Sequence, residues 1–89
     1  MELRELTIKN KLGLHARAAA MLVKTTNAFE SEVVLEKDGQ RVNGKSIMGV
    51  MMLAAAKGSI LKVEADGPDA LEVANKLEAL VDDLFGEGE

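Results

Sequence analysis

Apolar and polar positions alternate in some stretches of this chain and recur at helical spacing in others. Within Leu3 to Lys9, Leu6 and Ile8 alternate with Glu5, Thr7 and Lys9, the period of a half-buried strand. From Ala16 to about Asn27 the spacing changes to that of a helix. Ala19, Leu22, Val23 and Thr26 share a core-facing stripe there, with Arg17, Met21 and Lys24 pointing away. Ser31 to Glu36 alternates again, Val33 and Leu35 against Glu32, Val34 and Glu36. Asp38-Gly39 then signals a tight hairpin, and Arg41 and Val42 begin a return strand closed by Asn43-Gly44. Ser46 suits a helix N-cap, since its hydroxyl can accept a backbone N–H. The helix it opens runs from Ile47 to about Leu53, with two ends open, there or beyond Ala54-Ala55-Ala56 at Lys57, and Gly58 as its stop. Ile60 to Asp66 reads as the last strand, with Leu61, Val63 and Ala65 facing one way. Gly67-Pro68-Asp69 starts a final helix, Pro68 in its first position and Asp69 complementing its dipole. Ala70, Ala74, Leu77, Val81 and Leu84, widened by Val73 and Leu80, form its apolar stripe. Gly86 to Glu89 reads as a frayed tail.

The order strand, helix, strand, strand, helix, strand, helix suits an α+β two-layer domain spanning residues 1–89: a four-stranded antiparallel sheet with three helices on one face. Eighty-nine residues, 47% of them apolar, lie near the lower size at which one core suffices. The absence of cysteine rules out disulfides and thiolate metal ligands. Nothing in the pattern calls for a metal or another cofactor. A net charge of −4, two phenylalanines and no tyrosine or tryptophan argue against nucleic-acid binding, which wants a basic face and stacking rings. Met1-Glu-Leu-Arg-Glu5 opens no signal-peptide-like run, and no segment approaches membrane-spanning length. A cytoplasmic monomer, not inserted in a membrane, is the expectation.

The chemistry concentrates in Leu12-Gly13-Leu14-His15-Ala16-Arg17-Ala18-Ala19-Ala20, which holds the only histidine. Gly13 suits a sharp corner, and the alanines behind it favour a helix beginning at about His15. A helix start carries unpaired N–H groups and partial positive charge, ready to hold a phosphate. Arg17 adds a guanidinium fork two residues on. These residues also fit a plain capping histidine beside a solvated arginine. On the second helix, Ile47, Met48, Met51 and Met52 are too many for a short segment to bury. Val50 and Leu53 are assigned to the core, Met48 and Met51 to the surface.

Gly13-Leu14-His15-Ala16-Arg17 resembles the active-site signature of the HPr family, the histidine phosphocarriers of the bacterial phosphoenolpyruvate-dependent phosphotransferase system. Val42-Asn43-Gly44-Lys45-Ser46-Ile47-Met48-Gly49-Val50-Met51 resembles that family's regulatory serine region, at the family's separation. The likeness runs from about Met1 to Phe85. One departure is Ala18, where the family usually has proline; alanine serves the helix equally but removes a rigid element beside the histidine.

The resemblance implies the open-faced β-sandwich of that family and a carrier rather than a catalyst. His15 would accept a phosphoryl group on Nδ1 from phosphorylated Enzyme I and pass it to EIIA-type domains. The N–H groups of Ala16 and Arg17 would meet the phosphoryl oxygens, and the Arg17 side chain would neutralise charge. Ala20, Met21, Lys24, Ile47, Met48 and Met51 would form a docking area, with Lys24 and Lys45 meeting acidic partner residues. Ser46 would be phosphorylated by HPr kinase/phosphorylase, and a transcriptional regulator is a further implied partner. Two other functions remain open on sequence: a regulatory carrier of the nitrogen branch (NPr-like), and a protein-binding regulator using the Ser46 face alone.

Overall fold

The computed structural model describes residues 1–89. Its elements run β1 (Glu2–Thr7), α1 (Ala16–Asn27), β2 (Glu32–Lys37), β3 (Gln40–Asn43), α2 (Ile47–Met52), β4 (Ile60–Asp66) and α3 (Ala70–Asp82). A short 3-10 turn, Leu84–Gly86, follows. The strands form one antiparallel sheet in the order β1-β4-β2-β3. The expected α+β architecture is the one found.

Strand alternation decides which face is covered. Leu6 lies opposite Leu61, Val63 opposite Leu35 and Ala65 opposite Val33, and all six are buried. Glu5, Lys62, Glu64 and Glu36, adjacent to them along the strands, stand on the other face, where Arg41 pairs with Glu36 and Glu64. The covered face meets Ala18, Ala19, Leu22 and Val23 of α1 and Val73, Leu77 and Val81 of α3 within one cluster of 20 buried residues. Two fully buried alanines at the front of α1 let that helix lie close to the sheet. The Asp38-Gly39 hairpin forms as the sequence predicts, with φ of +51° and +84°, and joins Lys37 directly to Gln40. Both residues need positive φ for such a tight turn, which Gly adopts freely and Asp tolerates.

Three details go beyond the sequence expectation or differ from it. First, of the two ends open for α2 the structure takes the earlier: the helix ends at Met52, with Leu53 as its C-cap and Ala54 at φ +49°. Leu53 and Ala55 are both buried, and the Ala55 carbonyl accepts the Leu14 N–H at 2.8 Å. Tertiary contacts therefore override the helix propensity of the alanines. Gly58, at φ +92°, turns the loop beyond the helix.

Second, the end of α3 does not bring Leu84 onto its stripe, and the tail lies against the rest of the domain. Leu84 and Phe85 take φ of +56° and +53°, which swings Phe85 into the core with no exposed surface. Phe85 continues the Leu77, Val81 spacing, so it closes the apolar stripe in place of Leu84. The following residues are then held against the loop before α1, with the Lys11 N–H donating to the Glu89 carbonyl at 3.0 Å.

Third, Pro68 precedes α3, and Asp69, though at the N-cap, makes no side-chain bond to its own helix. Its carboxylate instead accepts from the Glu30 N–H (2.9 Å), the Ser31 N–H (2.9 Å) and the Ser31 hydroxyl (2.5 Å). Ser31 is itself buried, and Gly67 makes room for it: a Cβ there would lie 2.7 Å from the Ser31 Cα. The Ser31 hydroxyl, and after it the Glu30 N–H, hold the Asp69 carboxyl below its ordinary value of 3.8. Because the folded pKa is depressed, the stabilisation is present above the unfolded value and is lost as pH falls through the folded one. Asp69→Asn is therefore expected to lower stability near neutral pH and to flatten the decline on acidification below about pH 4, measured as denaturant midpoints across pH. An Asn variant with the wild-type acid slope would remove Asp69 as the source.

Candidate functional site

The loop from Ile8 to His15 is positioned by backbone pairing with the segment after α2. The Ile8 N–H donates to the Ser59 carbonyl (2.8 Å), the Gly58 N–H to the Ile8 carbonyl (2.7 Å) and the Leu14 N–H to the Ala55 carbonyl (2.8 Å). Gly13 is buried at φ +67°, pressed on that same segment. Any Cβ there would collide with the Ala55 carbonyl oxygen and lie 2.9 Å from the Ala56 Cα. The corner thus ends at the residue where α1 must begin.

His15 is the N-cap of α1, with φ −72° and ψ 178°. Its carbonyl accepts the Ala19 N–H at 2.8 Å, and the Arg17 N–H donates to Nδ1 at 3.3 Å. The ring is 30% exposed. Ala16 and Arg17 are exposed, and the Arg17 guanidinium joins none of the protein's ion pairs. The helix start, the imidazole and the free guanidinium therefore come together at the surface, as the sequence predicts.

Asn10 and Glu87 also belong to this site, and the sequence reading does not include them. Glu87 Oε2 contacts His15 Nε2, and its Oε1 accepts from Asn10 Nδ2 at 2.9 Å. Asn10, fully buried, also donates from Nδ2 to the Gly13 carbonyl at 2.8 Å, and its Oδ1 has no partner. Turning that amide over would set its oxygen against two acceptors, so the neighbours dictate its orientation. The His15 contact, then the Asn10 amide and the nearby Arg17 guanidinium, hold the Glu87 carboxyl below its ordinary range against the effect of burial. An ionised carboxylate only accepts. In the neutral ring, Nε2 therefore carries the proton and donates to Glu87, and Nδ1 keeps its lone pair toward the helix start. A cleft of about 390 Å³ lies here between Lys11, Leu12, His15 and Arg17 on one side and the tail at Gly86, Glu87 and Glu89 on the other.

Ser46 stands where the sequence puts it, as the N-cap of α2, its Oγ accepting the Gly49 N–H at 3.1 Å. Val50 and Leu53 are buried, while Ile47, Met48, Met51 and Met52 are exposed, Met48 most of all at 78%. α1 packs beside α2, and its Ala20 and Lys24 are exposed. Two expected surface residues are more constrained. Met21 is half-buried and packs against the core instead of pointing outward. Lys45 is half-buried too, its ammonium donating to the Phe29 carbonyl at 2.8 Å.

Fold and site together define a two-layer α+β domain that presents a single histidine at the start of a helix. The chain matches the family model described as the phosphotransferase-system HPr component phosphorylation site, over residues 3–83. The phosphocarrier protein HPr of Cupriavidus necator is 54% identical over 86 residues, and that of Neisseria meningitidis serogroup A is 52% identical over 86, each alignment covering 97% of both chains. The crystal structure of HPr-C-His from Thermoanaerobacter tengcongensis superposes with a TM-score of 0.94 at 45% identity, covering 98% of both chains. The chain belongs to the HPr family of phosphocarriers of the phosphotransferase system.

Gly13→Ala is expected to cost about 1–3 kcal/mol, since it adds strain at positive φ to a collision with the Ala55 backbone. Denaturant unfolding measures the loss. Hydrogen exchange at the Leu14 amide, which bonds Ala55, should accelerate beyond that of the sheet; uniform acceleration would mean that Gly13 does not seat the loop.

Proposed function

We propose that His15 accepts a phosphoryl group from phosphorylated Enzyme I and passes it to EIIA-type domains in sugar uptake, in the cytoplasm. The observation that carries this reading is the direction of the ring: Nδ1, with its lone pair, turns toward the first N–H groups of α1, and Nε2 is occupied by Glu87. When His15 accepts the group, the Nδ1 lone pair forms a bond to phosphorus as the bond to the donor nitrogen breaks and its pair returns to the donor ring; when His15 gives it up, the Nδ1–phosphorus bond breaks and its pair returns to Nδ1 as the acceptor bonds phosphorus. The three phosphoryl oxygens then face the N–H groups of Ala16 and Arg17, with the Arg17 guanidinium within reach to balance their charge. Nothing encloses the group, which suits a carrier that must release what it takes. The partners supply the remaining catalytic groups.

His15→Ala is expected to abolish labelling by phosphoenolpyruvate and Enzyme I. Arg17→Ala should slow it by about a hundredfold, the cost of removing one charge-stabilising donor, while leaving label detectable. The label should be lost in acid and survive alkali, as a phosphoramidate does and a phosphoserine does not. Equal labelling of wild type and His15→Ala would refute the assignment.

The second part of the proposal concerns Ser46 as a regulatory phosphorylation site for an HPr kinase/phosphorylase. Its hydroxyl lies at a helix start, where a phosphate is tolerated, and beside exposed Ile47, Met48 and Met51. Nearly two negative charges there would repel an acidic partner without altering the fold. Ser46→Asp should reduce the transfer rate from Enzyme I by about tenfold or more, as like charges set against one another at an interface do. An unchanged rate would remove the brake.

A further inference from the structure

Glu87 lies outside the helix that carries the histidine, yet its carboxylate is only 10% exposed and is the group that closes on the far nitrogen of the ring. Its setting is built from three independent contacts. Phe85, two residues before it, is fully buried and anchors the tail in the core. The Lys11 N–H holds the Glu89 carbonyl beyond it. The buried Asn10 amide fixes the carboxylate from behind while bonding the Gly13 carbonyl, so the same side chain braces both the tail and the corner that aims His15.

We propose that Glu87 is a positioning residue for phosphoryl transfer. It keeps the proton on Nε2 so that Nδ1 presents a lone pair, and it stabilises the charge that appears on the ring during the reaction. The inference rests on the carrier reading above. When the Nδ1 lone pair attacks phosphorus, the pair of the broken phosphorus–nitrogen bond leaves with the donor ring. The proton stays on Nε2, and the His15 ring becomes positively charged. That charge then faces a carboxylate fixed in place beforehand, so no group need reorganise as it develops. On the return step the same proton keeps the ring a good leaving group, and Nδ1 takes back its electron pair when the phosphoryl group departs. A carboxylate that orients an imidazole in this way commonly fixes both its tautomer and its ring angle.

The test compares wild type, Glu87→Ala and Glu87→Gln in the full chain, by nitrogen-15 NMR of the His15 ring and by steady-state phosphorylation with phosphoenolpyruvate and Enzyme I. In the neutral wild-type ring, the Nε2 proton should resonate downfield and exchange slowly with water. In Glu87→Ala it should move upfield and exchange freely, and kcat should fall about tenfold with KM for the carrier unchanged, the effect of losing one charge-assisted hydrogen bond. Glu87→Gln keeps an accepting oxygen without the charge and should restore the ring signals more fully than the rate. Phe85 is intact in both variants, so the tail keeps its anchor. Ring signals or a kcat unchanged in Glu87→Ala would overturn the proposal, as would a loss confined to KM, which marks a docking contact. A wild-type chain that takes no label from Enzyme I would instead overturn the carrier reading, and the role of Glu87 with it.

Discussion

The structure depends on a close backbone approach. Gly13 presses against the chain at Ala55 and Ala56, and the Leu14 N–H closes on the Ala55 carbonyl. No side chain fits between the two segments, so the corner before α1 and the exit from α2 are fixed together. This contact accounts for the early end of α2, for the left-handed Ala54 and for the point at which α1 begins. It also leaves His15 at the N-cap with its ring at the surface, the one place where a side chain and the free N–H groups of a helix start address the same ligand.

Buried polar residues do the rest of the fastening. Asn10, Thr26 and Ser31 are the three polar side chains in the interior, and each ties one loop to another element. Asn10 joins the corner to the tail, and Thr26 donates from the end of α1 to the Gly44 carbonyl at 2.8 Å. Ser31 joins the entry of β2 to Asp69 at the start of α3. In a domain this small, hydrophobic burial alone leaves loops loose, and a buried hydrogen bond with a fixed partner is what orients them. The histidine loop and the segment before Ser46 are both held this way, so the two surfaces of interest are presented by a rigid frame.

The electrostatics of the site follow from its exposure. A helix start, Arg17 and Lys11 favour an anion, while Glu87 and Glu89 set a limit on how much negative charge the cleft retains. Partial exposure keeps these interactions moderate, because water screens them. A balanced, open site suits a group that is held between two encounters and then surrendered. α2 exposes Ile47, Met48, Met51 and Met52, and methionine is a flexible side chain that repacks readily against differently shaped neighbours.

The element order, the inward rows of the strands, the hairpin at Asp38-Gly39 and the placement of His15, Arg17 and Ser46 at helix starts are all legible in the linear chain. These follow from local periodicity and local backbone preference, which neighbouring residues settle among themselves. Packing between distant segments settles where α2 stops, which residue ends the α3 stripe, how far Met21 and Lys45 are buried, and what stands behind the histidine. The spacing of Leu77, Val81 and Phe85 was a legible signal for the core, yet the glycine and glutamate residues after it carry the composition of a loose end. Glu87 reaches His15 across 72 positions of sequence, and Asn10 meets Glu87 across 77. A contact of that range leaves no mark in periodicity or spacing, because it exists only once the core has brought Phe85, and the tail behind it, to the other end of the chain.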